Sequence, residues 1–138
     1  MKIEINRVDE DFHMIAENED GNKIELDGSP AIGGHNKGMR PMQLLLAGVG
    51  SCSAIDVISI LKKQKQDLKS IKITVDGDRD ADVVPSLFTD INIHFTLGGD
   101  LDSVKVERAI QLSMDKYCSV SKTLEPTANI THSYEIVG

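Results

Sequence analysis

The run from Leu44 to Leu61 restricts this chain more than any other segment. It holds one charge, Asp56, among leucines, valines, isoleucines and small residues. Gly48, Gly50, Ser51, Ser53 and Ala54 surround Cys52 at its centre. A run this apolar must be covered by something. It approaches the lower length for a membrane span, roughly 18 residues. An internal acid, three serines and two glycines suit instead a buried helix packed closely against a partner. Pro41 fits the first turn of that helix. Lys62, Lys63 and Lys65 place cations near its C-terminal end, where the helix dipole favours them.

The flanks read as strands. Ile3 and Ile5 alternate with polar neighbours, Phe12 to Glu17 suggests a second strand, and Lys23 to Leu26 a third. Asn18-Glu19-Asp20-Gly21-Asn22 is turn chemistry between the last two. Asp27 to Gly38 is a loop rich in Gly, Asn and Pro. Beyond the long helix, Ile71 to Val75 and Phe88 to Leu97 alternate. Asp102 or Ser103 can cap a second helix that runs to about Tyr117, and Asn129 to Val137 closes the chain as a strand. The order is β-β-β-α-β-β-α-β. Paired strands with only two main helices predict an α+β fold, with an antiparallel sheet and the helices on one side. The length of 138 residues suits a single domain, 1–138.

Charge and composition exclude some roles. A net charge of −7 and 4% aromatic residues argue against a surface that binds phosphates or stacks bases, so no nucleic-acid partner is expected. The N-terminus alternates like a strand and does not resemble a targeting segment. Two cysteines make no disulfide framework. They suit a reducing cytoplasm, where such a pair is more often catalytic than structural. Cys52 and Cys118 lie far apart in sequence, each within or at the end of a helical pattern, and such thiols can meet in a fold. If they meet, one can attack a peroxide and the other can resolve the product. His94 and His132 lie on strand patterns. No Cys-x-x-Cys or His-x-x-x-His pair accompanies them, so no metal is expected.

Two segments carry a family resemblance. Arg40-Pro41-Met42-Gln43 through Gly50-Ser51-Cys52-Ser53-Ala54 resembles the first-cysteine helix of the OsmC/Ohr thiol-dependent peroxidases. Ala109-Ile110 through Lys116-Tyr117-Cys118-Ser119-Val120 resembles their second-cysteine site. The runs Cys52-Ser53-Ala54-Ile55-Asp56-Val57 and Asn129 to Glu135 are most similar to the YhfA-like branch of that family. The resemblance implies an interlocked homodimer with the long helices buried between subunits. It implies Cys52 as the peroxidatic thiol, Cys118 as the resolving thiol, organic hydroperoxides as substrates and an external dithiol as reductant. It implies no cofactor. The other class of function open to this fold is a dimer without peroxidase activity that holds an apolar small molecule between subunits.

The chain departs from the family pattern at three places. Met42 stands where the family places a Glu that orients a thiol-activating Arg. No Arg occurs from Val8 to Glu19, where that Arg is expected. Ser119 follows the second cysteine in place of Pro. Asp56, four residues after Cys52, shares its helix face, and a carboxylate there opposes a thiolate. Arg40 and Arg79 are therefore the candidate supporting cations, with Asp56 as the third supporting residue.

Overall fold

The computed structural model describes all residues, 1–138. Two compact units divide the chain, Met1–Leu45 and Leu46–Gly138.

In the first unit, β1 (Ile3–Arg7), β2 (Met14–Asn18) and β3 (Lys23–Leu26) form an antiparallel meander. The turn into β3 is built by Asn18, whose Oδ1 accepts from the Asp20 and Asn22 N–H groups at 3.0 and 2.9 Å. Gly21 supplies the positive φ of 84° that this turn needs. The loop after β3 is fastened from inside by Asp27, which is 1% exposed. Its carboxylate accepts from Gly28 N–H at 2.7 Å and from His35 and Lys37 N–H at 3.1 Å each. Burial pushes the Asp27 carboxyl up, but these donors outweigh it and hold the group below the ordinary carboxylate range. The clamp therefore operates at neutral pH and releases only as the acid protonates.

The helix α1 (Pro41–Lys63) follows and carries the boundary between the units. The second unit contains a sheet of β4 (Asp67–Arg79), β5 (Phe88–Asp100) and β6 (Asn129–Val137), in that order. The strands β4 and β5, thirteen residues each, pair antiparallel along nearly their whole length. On β5 the alternation foreseen in the sequence is realised: Ile91, Ile93, Phe95 and Leu97 are all at most 1% exposed.

Two features refine the expected architecture. The strands form two three-stranded sheets, and β6 runs parallel to β5. The physical reason is the connection between them. The chain leaves β5 through α2 (Ser103–Leu112), a wide turn and a short helix α3 (Ser119–Leu124) before returning. A crossover of that length brings the chain back beside β5 running in the same direction. The second helical pattern reaches Tyr117 as expected, but only Ser103–Leu112 is regular α-helix; Ser113–Tyr117 continues it as a wider π-helical turn. Asp102 caps its start, with Oδ1 accepting from Val104 N–H at 2.9 Å. Its end opens into a turn in which Cys118 N–H bonds Ser113 O, five residues back, at 2.8 Å. Widened turns of this kind add one residue to the helical repeat and recur at functional sites.

One stripe of α1 is buried: Val49, Gly50, Ser53, Val57 and Leu61. Gly50 is where the helix meets the sheet. A Cβ built there would lie 2.8 Å from Val75 Cγ2 and 3.4 Å from Ile73 Cγ2. At Gly48 an added Cβ meets only Val120 Cγ1, at 3.7 Å. Gly50→Val is expected to lower the urea midpoint by the equivalent of about 1–3 kcal/mol through overpacking. Gly48→Ala should hold or raise it by up to about 1 kcal/mol through helix propensity. A Gly50→Val protein as stable as its parent would show that helix and sheet do not approach this closely.

Candidate functional site

Cys52 lies midway along α1 and Cys118 lies at the junction of the wide turn and α3. Both are free thiols. The fold brings them together, so the two sulfurs and a carboxylate oxygen of Asp56 all lie within 4.8 Å of one another. Cys118 is fully buried, while Cys52 is partly exposed. Asp56 reaches the same spot because it stands one helical turn after Cys52.

Three serines organise this cluster. Ser113, fully buried in the wide turn, donates its hydroxyl to Asp56 Oδ2 at 2.9 Å. Ser121 in α3 donates its backbone N–H to Cys118 Sγ at 3.4 Å. Ser53, also fully buried, places Oγ 2.8 Å from Val49 O and 3.5 Å from Cys118 Sγ. A hydroxyl has one proton and cannot donate to both. With Cys118 protonated, the shorter bond to the Val49 carbonyl takes it, and Ser53 Oγ accepts from the thiol. When Cys118 ionises, the hydroxyl can turn and donate to sulfur.

The electrostatics separate the thiols. Burial alone would push Cys118 up, but donors from Ser53, Ser121 and Cys52 outweigh it and draw its pKa below the ordinary thiol value. Burial pushes Cys52 up. A backbone N–H from Val120 works against that, while the thiol Cys118 and the Asp56 carboxylate add to it. Of the two, Cys118 is therefore the thiol that ionises more readily. Two thiols this close titrate as a unit.

The candidate cations have other partners. Arg40 donates from Nη1 to Asn36 Oδ1 at 2.7 Å in the first unit. Arg79, at the end of β4, donates from Nε to Ser86 O at 2.9 Å. Asp56 forms no ion pair with any cation of its own unit. Beside Asp56 is a hollow of about 370 Å³, also lined by Ile60, Lys63, Gln64, Leu112 and Tyr117. Within the side chain of Gln64, Oε1 is buried without a hydrogen-bond partner. His94 is occupied elsewhere, with Nδ1 2.7 Å from Ser133 Oγ on the neighbouring strand.

A family model described as "OsmC-like protein" matches residues 34–133, a span that includes both cysteines. The chain belongs to the OsmC-like family. Within that family it is 43% identical to protein YhfA of Escherichia coli K12, over 93% of this chain and 92% of the relative. A crystal structure of a hypothetical protein from Aquifex aeolicus VF5 superposes with a TM-score of 0.85 at 34% identity, covering 99% of this chain and 95% of that one. The organic hydroperoxide resistance protein OsmC of Legionella pneumophila superposes at 0.72 with 18% identity, covering 98% and 97%. That last likeness establishes a common fold.

The sequence singled out Cys52, Cys118 and Asp56, and the structure places them in one cluster. It passed over Ser53, Ser113 and Ser121. Ser53 had a signal, since it lies on the buried 49-53-57-61 stripe. Ser113 had none, because a regular helix through Tyr117 gives no reason to single it out.

The charge assignment has a direct test. In the reduced protein, thiolate absorbance in the ultraviolet should rise in two steps, the first below the ordinary thiol range. Asp56→Asn removes a negative charge and should move the second step to lower pH. Ser53→Ala removes a donor from Cys118 and should move the first step up. A second step left in place by Asp56→Asn would refute the carboxylate's influence on Cys52.

Proposed function

We propose that this protein is a thiol-dependent peroxidase that reduces organic hydroperoxides through Cys52 and Cys118. The observation that carries the reading is the meeting of two free sulfurs from separate helical elements, one sealed and one open to substrate. Family membership supports it.

The steps balance. Cys52 gives up its proton and its sulfur attacks the O–O bond, leaving a sulfenic acid and an alkoxide that is protonated to the alcohol. The Cys118 thiolate then attacks the sulfenic sulfur, forming the disulfide as hydroxide leaves and takes a proton to become water. An external dithiol returns both thiols. Asp56, within reach of both sulfurs, carries the proton from Cys52 toward the departing alkoxide. The hollow beside Asp56, walled by Ile60, Leu112 and Tyr117, suits the organic half of a hydroperoxide. A pair that must be reduced after every turnover fits the cytoplasm.

The working unit in this reading is a homodimer. Within one chain α1 buries a single stripe, and Ile55 and Ile58 remain 65% and 40% exposed. By length and composition α1 is also apolar enough to cross a membrane. A second copy laid against this face would cover it without one. Light scattering should give twice the mass of the chain, and Ile58→Asp should shift the population to single chains. A parent protein that runs as a single chain would overturn the dimer.

A second reading draws support from the apolar walls of the hollow beside Asp56, Ile60, Leu112 and Tyr117. A small apolar molecule would pack against them without any peroxidase chemistry. Native mass spectrometry of the purified protein would reveal such a passenger.

The peroxidase reading is tested with reduced protein, cumene hydroperoxide and dithiothreitol. Peroxide loss should require Cys52, falling to the protein-free rate in Cys52→Ser. Cys118→Ser should leave a sulfenic acid that dimedone traps. Equal turnover in parent and Cys52→Ser would remove the enzyme from consideration.

A further inference from the structure

We propose that the reduced thiol pair and Asp56 together form a binding site for one thiophilic divalent cation of the zinc class. Three donor atoms, two sulfurs and one carboxylate oxygen, lie within 4.8 Å of one another. Around a tetrahedral zinc with bonds of about 2.3 Å, neighbouring sulfurs sit roughly 3.8 Å apart. The side chains therefore need only small adjustments to close on an ion.

The donor set is suited to that metal. Two thiolates select a soft or borderline ion over magnesium or calcium, and three protein ligands leave a fourth position for water or an exogenous ligand. The sequence conceals the arrangement. Cys52 and Asp56 are one helical turn apart, and the third donor arrives from a separate element sixty-six residues after Cys52. No close cysteine pair advertises it.

Supporting contacts are already in place. Ser113 holds one oxygen of Asp56 and leaves the other uncommitted. Ser53 and the Ser121 N–H address the Cys118 sulfur, as outer-shell donors do around metal-bound thiolates. The cluster also has an unmet electrostatic need. A carboxylate and two ionisable sulfurs share a partly buried space, and no lysine or arginine of the unit pairs with Asp56. A divalent cation would reverse that repulsion and hold both sulfurs as thiolates, releasing whatever protons they still carry.

Binding does not depend on peroxidase activity, but the two compete. A coordinated ion occupies both sulfurs, so a loaded site is closed to peroxide. Disulfide formation removes both sulfur ligands, so an oxidised site is closed to metal.

The test uses the full-length reduced protein titrated with Co²⁺. One equivalent should produce thiolate-to-cobalt charge-transfer absorption in the near ultraviolet and the strong visible bands of a four-coordinate ion. Zn²⁺ should abolish both. Cys52→Ser and Cys118→Ser should each weaken the charge-transfer band. Asp56→Asn should lower Co²⁺ affinity, and Ser113→Ala should lower it about 10-fold by freeing the carboxylate. Absence of the charge-transfer band in the parent, which requires no variant to fold, overturns the proposal. So does Co²⁺ affinity unchanged in Asp56→Asn, or a band retained in the double cysteine variant. Peroxide consumption is measured separately on metal-free protein, so failure of one reading leaves the other's readout intact.

Discussion

The close seating of α1 on β4 is the constraint on which the rest depends. Gly50 lies against Val75 with no room for a side chain. That contact lies on the buried stripe of α1, Val49 to Leu61, inside the second unit. Ser53 is on the same stripe and touches Cys118. A helix held further out by a larger residue would lose the sheet contact and the sulfur contact together. The small residues that make Leu44 to Leu61 look unlike a membrane span are therefore the ones that allow the site to exist.

What gathers at that contact is an unusual balance of charge. Peroxide chemistry needs a thiolate, and the ordinary way to stabilise one is a neighbouring cation. Here hydrogen-bond donors perform that task for Cys118, and Asp56 opposes it at Cys52. The sulfur that solvent reaches keeps its proton more strongly than the one it does not. Chemistry at Cys52 thus requires a proton to move first. The nearest groups able to accept it are the other sulfur and the carboxylate held by Ser113.

Much of this was legible in the residues, for reasons that also explain what was not. Period-two alternation in β5 and the turn chemistry of Asn18 to Asn22 act locally, so strand order and the α+β class followed from short windows. The cysteine segments carried the family. The parallel placement of β6 was hidden because pairing direction depends on how the chain returns, and the short helix after Cys118 was not anticipated. Ser113 was hidden for a related reason. Reading a regular helix to Tyr117 assumed 3.6 residues per turn, and the backbone departs from it just there. Within one chain only a stripe of α1 is covered, since an apolar circumference shows only that a surface wants a partner. It does not say that the same chain supplies one.

The widened turn between Ser113 and Cys118 has one more implication. Each residue of a regular helix rotates the next side chain by about 100°. The extra residue accommodated there sets the direction in which everything after it faces. Losing one residue from that turn would preserve every reactive group and nearly all of the hydrophobic interior. It would nevertheless swing Cys118 off its heading, and the protein would be intact, folded and chemically mute.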